Sequence, residues 1–115
     1  APTPIWEQVR DNYRALILSG ALPEGYKMPS VRELASTLAI NPNTIQRAYR
    51  ELEAEGYTVS VPGKGSFVCA AKEAAAMRRQ ELEQNFKALA AELKALGDDE
   101  AKLITLIKEA TANDD

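Results

Sequence analysis

Four side chains in one short stretch set the chemical question of this sequence: Asn43, Gln46, Arg47 and Arg50, within I-N-P-N-T-I-Q-R-A-Y-R-E-L at residues 40–52. They recur at helical spacing. Ile45, Ala48, Tyr49 and Leu52 recur between them at i, i+3, i+4 and i+7, so a helix here has one apolar side and one side bearing amides and guanidiniums. Glu and Lys would satisfy plain solvent, which is the competing reading of such a face. An amide offers a donor beside an acceptor, matching the adenine edge, and a guanidinium offers paired donors, matching the guanine edge. Taken with the helix before it, the ribbon after it and the local basic charge described below, this face predicts a recognition helix in the DNA major groove. Asn43, Gln46 and Arg47 are the candidates for base edges. Thr44, Tyr49 and Arg50 are candidates for phosphates, and Tyr49 fits the core equally well.

The rest of the inventory argues against other chemistry. The chain has no histidine and one cysteine, Cys69, so the usual general base, a disulfide framework and a Cys-based zinc cluster are all missing. Catalytic residues, metal ligands and cofactors are expected to be none. A hydrolase would have to use paired carboxylates such as Glu51 with Glu55, placed on an exposed helical face with no nucleophile or base beside them. Cys69 is read as a small buried apolar residue, with redox sensing as its alternative.

A net charge of −3 looks wrong for a polyanionic partner until it is mapped. From Lys27 to Arg50 the charged residues are Lys27, Arg32, Arg47 and Arg50 against the single acid Glu33, a local basic stripe. Residues 70–115 carry seven basic and ten acidic side chains, so the whole deficit sits in the tail. No apolar run approaches the roughly 18 residues that span a bilayer. The start A-P-T-P-I-W-E lacks a basic segment followed by an apolar one. The expected location is cytoplasmic, with no membrane partner.

Around the central stretch, the elements order themselves. Ile5, Trp6, Val9, Tyr13, Leu16 and Ile17 predict an amphipathic helix from Thr3 to about Ser19. Gly20, Pro23, Gly25 and Pro29 then break helicity, leaving room for a short strand around Tyr26 to Met28. Ser30 with Glu33 matches a capping box for a second helix, whose buried stripe is Val31, Leu34, Ala35 and Leu38. Only Ala39 and Ile40 separate it from Asn41, the cap of the next helix, and Pro42 at its first position. That is helix-turn-helix spacing. Gly56 stops the helix. Y-T-V-S-V, P-G-K-G and S-F-V-C then read as strand, turn and strand, which makes a wing. The wing-tip Lys64 and Gly65 would approach the DNA backbone, the alternative being an ordinary hairpin turn with a solvated lysine.

S-G-A-L-P-E-G-Y-K-M-P-S-V-R-E-L-A, N-P-N-T-I-Q-R-A-Y-R-E-L-E-A-E-G and G-K-G-S-F-V, in that order between Ile5 and Cys69, resemble the DNA-binding domain of the GntR family of bacterial winged-helix transcription regulators. The resemblance implies a DNA contact from Arg32. A salt bridge to Glu33 or to an acid near the wing is the other reading. Ser30, at a helix N-terminus, can cap and also meet a phosphate oxygen. Relatives often have Arg where this chain has Gln46 and a basic residue where it has Pro62, so a known operator is not expected to transfer and the wing is expected to hold DNA more weakly.

From Ala70 the composition turns to Ala, Glu, Lys and Leu. Leu82, Phe86, Leu89, Leu93 and Leu96 step by four and three, a 3.5-residue repeat. After Gly97, Asp98 or Asp99 caps a last helix with Leu103, Ile104, Ile107 and Ala110 on its apolar side. In length and two-helix character this tail is similar to that of the YtrA subfamily, whose tails serve mainly for dimerisation. The expected architecture is mainly α with a small β wing: a winged helix-turn-helix domain over 1–69 and a two-helix dimerisation domain over 70–115. The candidate DNA-contacting residues are Ser30, Arg32, Asn41, Asn43, Thr44, Gln46, Arg47, Tyr49, Arg50, Lys64 and Gly65. The candidate dimerisation residues are Leu82, Phe86, Leu89, Leu93, Leu96, Leu103, Ile104 and Ile107. The expected function is a sequence-specific transcription regulator, a repressor, bound as a homodimer to an inverted-repeat operator of double-stranded DNA. The alternative is a winged-helix protein-interaction module, or a fragment of a longer effector-responsive regulator. The sequence does not define a small-molecule effector.

Overall fold

A computed structural model describes residues 3–112. Its elements are α1 (Ile5–Leu18), α2 (Val31–Leu38), α3 (Pro42–Ala54), β1 (Thr58–Val61), β2 (Gly65–Val68), α4 (Ala71–Ala95) and α5 (Glu100–Thr111). The fold is mainly helical with a two-stranded antiparallel wing, as the sequence predicts.

Local chemistry explains the central helices. Ser30 Oγ accepts from Glu33 N at 3.0 Å, and Glu33 Oε1 accepts from Ser30 N at 3.2 Å, so the capping box of α2 is complete. Ala39 makes the tight turn in the left-handed region, at φ 55°, an uncommon place for a residue with a Cβ. Asn41 Oδ1 accepts from Asn43 N at 2.8 Å with Pro42 at the first position, which starts α3 abruptly. Gly56, at φ 86°, ends it, and Met77 of α4 occupies the space where a Cβ would project.

The core of the first unit is built on α3. Ile45, Ala48 and Leu52 are fully buried together with Ile17 of α1 and Tyr57, and Tyr49, Leu34, Ala35 and Met28 close around them. The wing pairs Thr58 with Val68 and Val61 with Gly65. The expected strand near Tyr26 appears as a bridge between Lys27 and Phe67, with Val68 N donating to Tyr26 O at 2.9 Å and Met28 N donating to Ser66 O at 2.8 Å.

Several expectations change. α1 begins at Ile5 rather than Thr3, because Pro4 takes the cap position at ψ 148°. Ile5 and Leu38 are exposed, since each lies at a helix end beyond the reach of its neighbours. In β1 Thr58 is buried and Val59 is exposed, the reverse of the apolar-polar alternation. Burial in the ribbon is confined to its Thr58–Val68 end, so position along it decides burial as much as face does. Glu55 is the larger correction. It is buried, not exposed, and its Oε1 accepts from Arg14 Nη1 at 3.0 Å and lies 3.4 Å from Arg78 Nη1. Cys69 is a free, half-buried thiol whose pKa is raised by that burial.

Compact packing divides the chain after Arg79 rather than at the composition change near Ala70. The first turns of α4 belong to the first unit, with Ala74 fully buried in its core. The second unit runs from Gln80 onward. There Asp98 N donates to Leu93 O at 3.0 Å to close the helix end at Gly97, and Asp99, not Asp98, caps α5 by accepting from Lys102 N at 2.9 Å. No described residue of this unit is buried: Leu82, Phe86, Leu89, Leu96, Ile104 and Ile107 are all exposed.

Candidate nucleic-acid interface

With Ile45, Ala48, Tyr49 and Leu52 turned into the core, the helical period forces Asn43, Gln46, Arg47 and Arg50 outward, and all four are exposed. The wing returns toward this face. Between them lies an open groove of about 600 Å³ lined by Ser30, Gln46, Arg50, Lys64 and Gly65, with Glu33 and Glu53 on its walls. The fold thus brings together residues far apart in sequence.

The candidates divide by what their polar atoms already do. Ser30 is committed to the capping box, but its exposed position leaves the helix start open. Glu33 is held below the usual carboxylate range chiefly by the Ser30 backbone N–H. Its carboxylate serves the cap, and among the described residues Arg32 is exposed with no ion pair, so the expected alternative of an Arg32–Glu33 bridge is not formed. Asn41 spends its carbonyl oxygen on the α3 cap. Thr44 is half-buried at the flank of α3.

Of its two readings, Tyr49 takes the core. It is 8% exposed, its ring meets that of Tyr13 edge-on at 6.2 Å, and its hydroxyl donates to Pro29 O at 2.7 Å, which leaves no free donor for a phosphate. Burial raises its pKa strongly. Tyr49→Phe is expected to lower stability by about 1 kcal/mol by stranding the Pro29 carbonyl, while leaving any DNA affinity and its salt dependence unchanged. Thermal unfolding beside a DNA titration checks both halves.

Sequence reasoning missed three features. Lys27 reaches the wing: a Cβ on Gly65, which sits at φ 119°, would come within 3.2 Å of Lys27 Cε, so the lysine adds charge beside Lys64. Its place in the local basic stripe was the available signal. The sequence places Trp6 only on the apolar side of α1, yet its ring lies under the Arg47 guanidinium at 4.1 Å. Nothing in the spacing pairs them, because α1 and α3 meet only on folding. The apolar side of the tail likewise includes Leu106, which lines a groove of about 350 Å³ with Phe86, Leu89, Leu93, Leu103 and Ile107. Among the described residues no cluster of His, Cys, Asp or Glu has the geometry to hold a metal, and no helix is long and apolar enough to cross a membrane.

Residues 5–68 match the family of bacterial regulatory proteins named gntR. The chain belongs to that family. This GntR chain is 46% identical over 66 residues to the HTH-type transcriptional repressor YtrA of Bacillus subtilis, a match covering 57% of the chain and 51% of the relative. It is 33% identical over 114 residues to a histidine utilization repressor of Pseudomonas putida, covering 98% of the chain and 44% of that protein. The matches thus span about half of these relatives' lengths. Among solved structures it is similar to a GntR family transcriptional regulator from Listeria monocytogenes, at a TM-score of 0.60 and 33% identity over 93% of this chain and 95% of that one. It is also similar to YtrA from Sulfolobus acidocaldarius, a GntR-family transcription factor, at a TM-score of 0.60 and 37% identity over 78% and 90% of the two chains. The AraR(DBD) structure in complex with operator ORR3 aligns at a TM-score of 0.56 and 29% identity, over 60% of this chain and 83% of that one. The family and these relatives are regulators, not enzymes.

Proposed function

We propose that this chain is a cytoplasmic, sequence-specific DNA-binding transcription repressor that acts as a homodimer on an inverted-repeat operator. The observation that carries the reading is the exposed row Asn43, Gln46, Arg47 and Arg50, backed by a fully packed opposite side and faced by a wing with Lys64. An α-helix fits the major groove, where amides and guanidiniums read adenine and guanine edges. A protein-binding face would instead expose aromatic or Met anchors at its centre. Asn43, Gln46 and Arg47 serve base edges, Arg32, Thr44 and Arg50 serve phosphates, and Lys64 with Gly65 approaches the backbone at the wing. Twofold pairing through the apolar tail sets two half-sites about one DNA turn, roughly 34 Å, or a multiple of it apart.

Selection of bound sequences from a random duplex pool at fixed salt tests this reading. The expected product is an inverted repeat. Recovery of unrelated sequences with no shared half-site contradicts base readout. For the wing, Lys64→Ala is expected to weaken binding nearly equally on all duplexes and to lower the slope of log affinity against log salt by about one. An unchanged slope removes the wing from the footprint.

A further inference from the structure

Two guanidiniums lie over the Trp6 indole, Arg47 at 4.1 Å and Arg10 at 5.0 Å from the ring centroid, and they differ in what their donors do. Arg10 donates Nε–H to Asp11 Oδ1 at 3.0 Å, is mostly buried, and has its charge matched by that carboxylate. Arg47 is exposed and has no carboxylate partner among the described residues. A guanidinium stacked on a ring uses its face, so the N–H donors around its rim stay available in the guanidinium plane. The ring therefore restricts the rotamers of Arg47 without consuming any hydrogen bond. The Arg14–Glu55 ion pair at 3.0 Å, with Arg14 also held by Asp11 at 2.9 Å, ties α1 to the end of α3 two turns beyond Trp6, so the helix that carries the ring is fixed against α3.

We propose that Trp6 is a positioning residue for sequence recognition: it presents the donor edge of Arg47, already oriented, to a guanine in the major groove. This rests on the DNA-binding reading and adds to α3 a specificity device that belongs to α1. Preorganisation cuts the ordering cost paid on binding, so its loss falls on the specific contact rather than on general attraction to phosphate.

The test compares the native chain with Trp6→Ala, Trp6→Phe, Arg47→Ala and the Trp6→Ala/Arg47→Ala double variant. Each is titrated with the selected operator and with a scrambled duplex at one salt concentration. Trp6→Ala is expected to lose about fivefold in operator affinity, a cation–π contact's worth, with little change on the scrambled duplex. Trp6→Phe, which keeps a stacking face, should retain most of the native affinity. The double variant should be no weaker than Arg47→Ala alone, because Trp6 acts through Arg47. Additive losses, equal losses on both duplexes, or native affinity in Trp6→Ala overturn the inference. Trp6 is the chain's single tryptophan, so its emission and its access to a neutral quencher report on the stack directly; both should change in Arg47→Ala. Thermal unfolding of Trp6→Ala separates a loosened α1 from a lost orientation, and Trp6→Phe decides the matter if α1 loosens. If the native chain binds no duplex, the functional reading fails. If it binds and Trp6→Ala binds equally well, this inference fails alone.

Discussion

Phe86→Glu combined with Leu89→Glu is expected to abolish the proposed homodimer and to reduce operator affinity by about 100-fold or more. The size follows from linkage: two half-site modules joined in one particle bind the second half-site as an intramolecular event, and avidity of this kind exceeds single-site affinity by about 10² to 10⁴. Phe86 and Leu89 are 54% and 61% exposed, and they line the apolar groove that Leu103, Leu106 and Ile107 of α5 complete. Each such side chain gains about 1.5–3 kcal/mol on full burial. Packing of the two tail helices on each other does not bury the stripe: no described residue from Gln80 onward is buried. An exposed apolar surface of this kind is the expected seat of the proposed dimer contact. Sedimentation of the double variant gives the oligomeric state, and a titration on a single half-site shows whether the DNA-binding unit is intact. A variant that still sediments as a dimer would move the interface away from this stripe.

Glu55→Ala is expected to be the most destabilising exchange of a polar residue in the first unit. Glu55 is 6% exposed at the end of α3 and holds Arg14 of α1 at 3.0 Å and Arg78 of α4 at 3.4 Å. Removing the carboxylate takes away a buried charge that Arg14 and Arg78 share, leaving Arg14 to its pair with Asp11, and loss of a charge-assisted contact of this kind costs about 3 kcal/mol. For a unit of this size that corresponds to a fall in melting temperature of roughly 15 °C. Glu55→Gln, which keeps the shape and an acceptor, should lose less. Calorimetry or circular dichroism against temperature measures both. A melting temperature within 2–3 °C of native in Glu55→Ala, the spread of about ±0.5 kcal/mol that ordinary surface exchanges show, would mean that the network is not structural.

These two sites also mark where sequence reasoning succeeded and where it stopped. The α3 helix was legible residue by residue, because Asn41, Pro42, Gly56 and the Ile45–Leu52 stripe act over a few neighbours and each obeys a local rule. The capping box at Ser30 and Glu33 was legible for the same reason. Glu55 was not, since a glutamate three residues after a buried leucine reads as a solvent-facing one until Arg14 and Arg78 arrive from elements distant in the chain. Thr58 and Val59 exchanged places because the wing has too little helix beneath it for alternation to decide burial. The outward row of α3 was predicted as a single face, and folding gave it two neighbourhoods: Gln46 and Arg50 border the groove toward the wing, while Arg47 rests on Trp6. Tertiary placement, not residue type, makes that distinction.

Base readout in the major groove is tested most directly by binding of the native chain to operator duplexes in which single purines are replaced by their 7-deaza analogues. Loss of N7 removes a major-groove acceptor and leaves the minor groove and the phosphates untouched. Sharp losses are expected at two clusters of purines related by the operator's symmetry and set one helical turn or a multiple apart, over an unaltered salt slope. Affinity that is indifferent to every N7, or no association with any duplex at low ionic strength, would contradict it.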